Sequence, residues 1–157
     1  MFKTFKSALI SFFATKAFAG DADEYKSFRE VCFENGYAVE NYQLITSDDY
    51  MLSLYHIPGT LQEMKTPSNT QKPAVLLMHS QNWDMTQWIS NSADRSAAFI
   101  LADAGYDVWM GNNRGSSYSL GHTSLTTKDL AFWDFYQLEM GTIDVPTFID
   151  FVLEKTG

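Results

Sequence analysis

Three histidines, one cysteine and scattered serines and carboxylates are the side chains whose types could carry nucleophilic or acid–base chemistry. A nucleophilic serine is normally presented on a sharp Gly-x-Ser-x-Gly turn between a strand and a helix, and the sequence has none. The nearest string, Ser117-Tyr118-Ser119-Leu120-Gly121, lacks the first glycine and follows a loop, so Ser119 reads as structural. His56, His79 and His122 share no metal-ligand spacing. His56 alternates with apolar residues and reads as a satisfied strand residue, whereas His122 follows Gly121 in a loop and is expected to be exposed. His79 directly follows an apolar run, at the end of a strand where active-site crevices form, and is expected to shape the loop that follows. Arg114 follows a second apolar run, and its guanidinium fork is suited to bracing loops. Asp129, Asp134 and Glu139 are the carboxylates expected near Arg114 or Lys128, and Asp48-Asp49 reads as turn chemistry. Cys32 has no partner for an internal disulfide and reads as a buried filler. A phosphate-binding glycine loop is missing too, so neither nucleotide, cofactor nor metal is expected.

The elements that must position these residues fit one domain. The chain has 157 residues, of which 45% are hydrophobic and 19% charged, enough to bury a core. Lys and Arg number 11 against 19 Asp and Glu, a net charge of -8 that leaves no basic stripe for nucleic acid. No apolar run reaches the roughly 18 residues of a transmembrane span. Residues 1–19 read as a signal peptide, with Lys3 and Lys6 ahead of an apolar stretch and Ala17-Phe18-Ala19 before Gly20. Its removal leaves 20–157 with 8 cationic and 19 anionic residues, a balance of -11, and implies export to the exterior or to an acidic lumen.

Phe28, Val31 and Cys32 fall at helical spacing before Asn35-Gly36, which predicts a short helix within 21–36. Residues 37–46 and Tyr50–Ile57 read as a β-hairpin closed by Ser47-Asp48-Asp49. After a polar loop over 58–73, Ala74–Met78 is a continuous apolar run suited to a strand covered on both faces. A helix over 93–104, with Phe99, Ile100 and Ala104 on one side, leads through Gly105 to a strand over 106–110 and Gly111. Strand, helix and strand make a βαβ unit, hence an α/β fold with a mostly parallel sheet. An aromatic-rich excursion over 116–140 precedes a last helix over 144–155, with Pro146 in its first turn and Val145, Phe148, Ile149 and Val152 as its apolar stripe. Such a helix should lead into another strand, and Ala74–Met78 reads as an interior strand needing neighbours on both sides. Two readings follow: an interrupted longer protein, or a genuine short protein that binds lipid or a partner.

Several strings in order carry a family resemblance: Asn35-Gly36-Tyr37-Ala38-Val39-Glu40, His56-Ile57-Pro58-Gly59, Phe99-Ile100-Leu101-Ala102-Asp103-Ala104-Gly105, and Tyr106-Asp107-Val108-Trp109-Met110-Gly111-Asn112-Asn113-Arg114-Gly115. Phe132-Trp133-Asp134-Phe135, Glu139-Met140-Gly141 and Asp144-Val145-Pro146 continue it. From about Val31 to Gly157 the chain resembles the N-terminal part of the acid lipases, the gastric, lysosomal and steryl-ester lipase group of the α/β-hydrolases. The resemblance implies a secreted or lysosomal enzyme that cleaves triacylglycerol or steryl esters, with lipid esters as substrates and transient contact with lipid surfaces. It implies a Ser–Asp–His triad in that chain order, lying wholly beyond Gly157, so that no catalytic side chain is present in these residues. It also implies that one oxyanion-hole donor comes from the loop His79-Ser80-Gln81, as the backbone N–H of Gln81. Where the family has glycine the chain has Ser80; if that position needed a left-handed backbone, a side chain would distort the hole.

Overall fold

The computed structural model describes residues 26–66 and 70–157, so the signal-peptide reading of 1–19 lies outside the described residues. The first helix, α1 (Phe28–Glu34), starts with a capping box in which the Glu30 N–H donates to Ser27 Oγ and the Ser27 N–H donates to the Glu30 carboxylate. It stops because Asn35 turns its side chain back to the Val31 carbonyl, 2.8 Å away, and Gly36 adopts φ +88°. Phe28 and Cys32, four residues apart, bury the inner face. Burial pushes the Cys32 thiol up to about 12, which leaves it unreactive.

Strands β1 (Glu40–Ile45) and β2 (Tyr50–Ile57) form the expected hairpin, with Leu44 opposite Leu52 and Tyr42 opposite Leu54. Asp49, at φ +73°, closes its turn. Strand β3 (Ala74–Met78), α2 (Ala97–Asp103) and β4 (Asp107–Gly111) form the βαβ unit, in which β3 and β4 run parallel with Leu76 opposite Trp109. The sheet order is β1-β2-β4-β3, with β4 antiparallel to β2, and a short β5 (Gly121–His122) pairs with the start of β2. The α/β class therefore holds, although among the described strands only the β3–β4 pair is parallel.

Side chains alternate across the sheet and build one core layer on each face. Val108 and Met110 pack with Phe28, Ile57, Phe99 and Ala102 beneath α1 and α2. Trp109 packs on the other face with Leu52, Leu54, Phe132, Phe148 and Val152, beneath the last helix. Each fully buried Leu or Phe of these layers contributes about 1.5–3 kcal/mol.

Among the described strands β3 pairs only with β4, and its faces are half-covered by the two layers. Three expectations need correction. Ile100 and Ile149 point to solvent, because Ala98, Phe99 and Ala102 suffice to fill the face of α2, and Phe148 and Val152 that of the last helix. His122 is half-buried, since it pairs with β2 and meets the Tyr50 ring edge-on. Finally, the last helix does not begin at Asp144. A short α3 (Gln137–Glu139) runs through one π-turn (Met140–Asp144), in which the Val145 N–H reaches back to the Met140 carbonyl, into α4 (Val145–Thr156), with Pro146 in its first turn.

Candidate functional site

The carboxyl ends of β3 and β4 open into a crevice of about 1000 Å³, at the position where α/β sheets bind ligands. One wall is the loop after β3, with His79, Gln81, Asn82 and Trp83; another is the loop Asn113 to Ser117 after β4. The aromatic excursion and α3 supply Trp133, Phe135, Tyr136 and Leu138. Trp83, Trp133, Tyr136 and Leu138 keep 45–76% of their surface exposed, so large apolar side chains stand open to solvent around the crevice.

The loop after β3 is held at three points. The Asn113 N–H donates to His79 Nε2 at 3.0 Å, so the ring proton sits on Nδ1 and donates to the Ser80 carbonyl at 2.9 Å. Ser80 gives both its N–H (3.1 Å) and its hydroxyl (2.9 Å) to Gln87 Oε1. A tight turn closes with the Trp83 N–H on the Ser80 carbonyl, at 3.1 Å. Its left-handed residue is Asn82, at φ +63°, and not Ser80. Asparagine tolerates that conformation, so the serine at position 80 brings no backbone strain. Gln81 lies between them; its N–H has no acceptor among the described residues, and its side chain accepts from Gln137 Nε2 at 2.8 Å across the crevice.

Arg114 is 1% exposed, and its partners are not those the sequence suggested. Nε donates to Asp144 Oδ1 at 2.8 Å and Nη2 lies 2.6 Å from the same oxygen, while the fork reaches Asp48 at 2.6 and 2.9 Å. Its backbone N–H also donates to Asp144 Oδ2, and its guanidinium lies 4.1 Å over the Tyr50 ring. Arg114 thereby ties the hairpin turn, the β4 loop and the π-turn into one support behind the crevice. Burial works against the guanidinium charge, but the hydrogen bonds it donates to Asp48 and Asp144 outweigh that and hold the group protonated. Burial also works against the Asp48 charge, yet the Arg114 and Thr46 hydrogen bonds keep that carboxyl below its ordinary range. Asp129 and Glu139 instead cap the backbone N–H groups of Thr126 and Tyr136. Asp48 lies 66 residues from Arg114 and Asp144 lies 30 away; no local signal in the sequence pairs them.

The other polar side chains are absorbed by structure. Ser119 is 1% exposed, donates to the Asn112 carbonyl at 2.7 Å and accepts from the Ser53 N–H at 2.9 Å. Its oxygen locks β2 to the β4 loop and faces no crevice. His56 sits between Glu40 (3.0 Å) and Asp107 (2.5 Å) and stacks on Trp109 at 3.8 Å, bridging β1, β2 and β4. Among the described residues no cluster of three or more His, Cys, Asp or Glu side chains is placed to hold a metal.

A family model described as a partial alpha/beta-hydrolase lipase region matches residues 28–92. Lipase member M of Homo sapiens is 43% identical over 140 residues, covering 88% of this chain and 32% of the relative. A putative lysosomal acid lipase/cholesteryl ester hydrolase of Crotalus adamanteus is 40% identical over 137 residues, covering 87% and 34%. Lipase lipl-1 of Caenorhabditis elegans is 36% identical over 159 residues, covering 99% and 39%. The chain thus spans about a third of the length of the curated relatives it matches. Hypothetical protein PA2218 of Pseudomonas aeruginosa shares the fold alone, with a TM-score of 0.51, 12% identity, and coverage of 74% of this chain and 30% of that one. With identities near 40% across most of its length and a lipase-region match over residues 28–92, the chain is similar to members of the acid lipase family and matches a lipase-family N-terminal region.

Proposed function

We propose that these residues form the N-terminal part of a serine hydrolase that cleaves lipid carboxylic esters, triacylglycerols or steryl esters, in the secretory or lysosomal lumen. In this reading the crevice receives the ester, and the Gln81 N–H faces the carbonyl oxygen as one half of an oxyanion hole. His79 and Ser80 fix the turn that aims that N–H, and Arg114 stiffens the wall behind it. The nucleophile, its base and the orienting carboxylate lie outside these 157 residues, so the chain by itself binds ester-like ligands and turns none over. The observation that carries the reading is the uncommitted Gln81 N–H on a tight turn at the carboxyl end of β3, in a chain whose relatives are lipases.

The aromatic rim also favours a second reading, a non-catalytic protein that holds an acyl chain or touches a lipid surface through Trp83, Trp133, Tyr136 and Leu138. Both readings predict saturable quenching of tryptophan fluorescence on titration with a medium-chain fatty acid, because two tryptophans line the crevice. They part when the sequence downstream of the Gly157 codon is read. An in-frame Gly-x-Ser-x-Gly followed by Asp and His supports the hydrolase, and its absence supports the binding protein.

A further inference from the structure

We infer that Gln87, acting through the Ser80 hydroxyl, is a positioning residue for the Gln81 N–H; the inference rests on the reading of that N–H as an oxyanion donor. One peptide plane decides where the donor points. The Ser80 carbonyl and the Gln81 N–H belong to the same trans peptide and face opposite ways, so whatever holds the carbonyl aims the N–H. The carbonyl is held from two directions, by His79 Nδ1 at 2.9 Å and by the Trp83 N–H at 3.1 Å. The preceding plane, between His79 and Ser80, is held by Gln87, whose Oε1 accepts the Ser80 N–H at 3.1 Å and the Ser80 hydroxyl at 2.9 Å. With the planes on both sides of the Ser80 Cα tied, neither backbone torsion of Ser80 is free, and the donor does not swing.

Gln87 is a fixed post for this purpose. It stands in a 3₁₀ turn (Met85–Trp88) capped by Asp84, whose Oδ1 accepts the Thr86 N–H at 2.9 Å and the Thr86 hydroxyl at 2.6 Å. The Gln87 N–H itself donates to the Asp84 carbonyl at 3.2 Å. Met85 is fully buried and donates its N–H to Asn112 Oδ1 at 3.0 Å, and Asn112 Nδ2 donates to the Ser53 carbonyl on β2 at 3.2 Å. The post is therefore anchored in β2 and the end of β4, outside the turn it steadies. Neither Ser80 nor Gln87 lines the crevice, so both act on a ligand only through the Gln81 peptide. Serine is the residue this arrangement needs. A glycine at position 80 would offer Gln87 its N–H alone and would gain torsional freedom, whereas the hydroxyl adds a second bond to the same acceptor. The side chain at position 80 steadies the hole.

The test is backbone amide relaxation of the full chain by nuclear magnetic resonance, with methyl hexyl ketone as a neutral carbonyl probe. In the unsubstituted chain the free Gln81 amide should be as ordered as the amides of β3, with an order parameter of about 0.85. Gln87→Ala and Ser80→Gly should each lower it below about 0.6 while β3 and β4 stay rigid. Each should also weaken ketone binding, read by tryptophan fluorescence, by about fivefold, the worth of one hydrogen bond. Gln87→Glu keeps an acceptor oxygen in place and should restore both. A Gln81 amide that stays ordered in Gln87→Ala overturns the proposal, and so does one already mobile in the unsubstituted chain. Loss of order spread evenly through β3 and β4, or failure of Gln87→Glu to rescue, overturns it as well. Order changes as expected, with a ketone that leaves the Gln81 resonance unmoved, would sink the oxyanion reading and support the hold of Gln87 on the turn, so the two fail separately.

Discussion

Replacing Arg114 by methionine tests whether the crevice wall is held by one buried ion-pair cluster. Methionine keeps most of the side-chain volume and its contact with the Tyr50 ring, but it strands Asp144, which is fully buried and takes two side-chain contacts from Arg114 in addition to its backbone N–H. Removing one partner of a buried pair costs about 3–5 kcal/mol, because the other charge stays desolvated without compensation. Asp48 is 37% exposed at its side chain, so its share is screened and amounts to about 0.5–1 kcal/mol. Arg114→Met should thus lower stability by about 3–5 kcal/mol, Asp48→Asn by about 1 kcal/mol or less. The double variant Arg114→Met with Asp144→Asn should recover about 1–2 kcal/mol of the loss, since no charge is then left buried. Urea unfolding followed by tryptophan fluorescence measures all three. Loss of stability in Arg114→Met no greater than in Asp48→Asn, or a double variant less stable than the single one, would refute the cluster as the support of the wall.

Acid should unfold the protein through three carboxylates. Asp48, Asp107 and Glu40 are all held below their ordinary range: burial opposes this at Asp48 and Asp107 but is outweighed by Arg114 and His56 respectively, and the Tyr42 hydroxyl leads at Glu40. A carboxyl depressed in the folded state stabilises fully above its unfolded value near 4 and loses that contribution as pH falls through the folded value. Asp144, which burial pushes up, works in the opposite sense. The melting temperature should hold level down to about pH 5 and fall steeply below about pH 4, with a shallower fall in Asp107→Asn. Gly115, at φ +79°, would bring an added Cβ to 2.7 Å from the Phe135 ring, so Gly115→Ala should cost about 1–3 kcal/mol and weaken fatty-acid quenching of Trp133. Phe148→Ala, at the centre of one core layer, should cost about 3–5 kcal/mol in the same unfolding assay.

The sequence made legible whatever depends on neighbours along the chain. The helical spacing of Phe28 and Cys32, the Asn35-Gly36 stop, the alternation of Tyr50–Ile57 and the glycine after α2 each have a local cause, and each element stands close to where it was expected. Ile100 and Ile149 were misplaced because periodicity marks an apolar stripe but not how much of it the neighbouring layer has room to cover. The supports of the crevice were illegible for a different reason. The Asp48–Arg114–Asp144 cluster and the His79–Asn113 bridge join residues 30 to 66 positions apart, brought together only by inserting β4 between the hairpin and β3. The left-handed residue at Asn82, two residues past the position where a glycine would have been sought, is likewise a property of the closed turn.

In the proposed function the crevice receives an ester beside the Gln81 N–H, and no serine of these residues acts as the nucleophile. Treating the purified chain with a fluorophosphonate, which reacts covalently with activated serines, and weighing it by intact-mass spectrometry tests this most directly. The unmodified mass is predicted, with Ser119→Ala behaving identically. A stoichiometric adduct on any serine of the chain would contradict it.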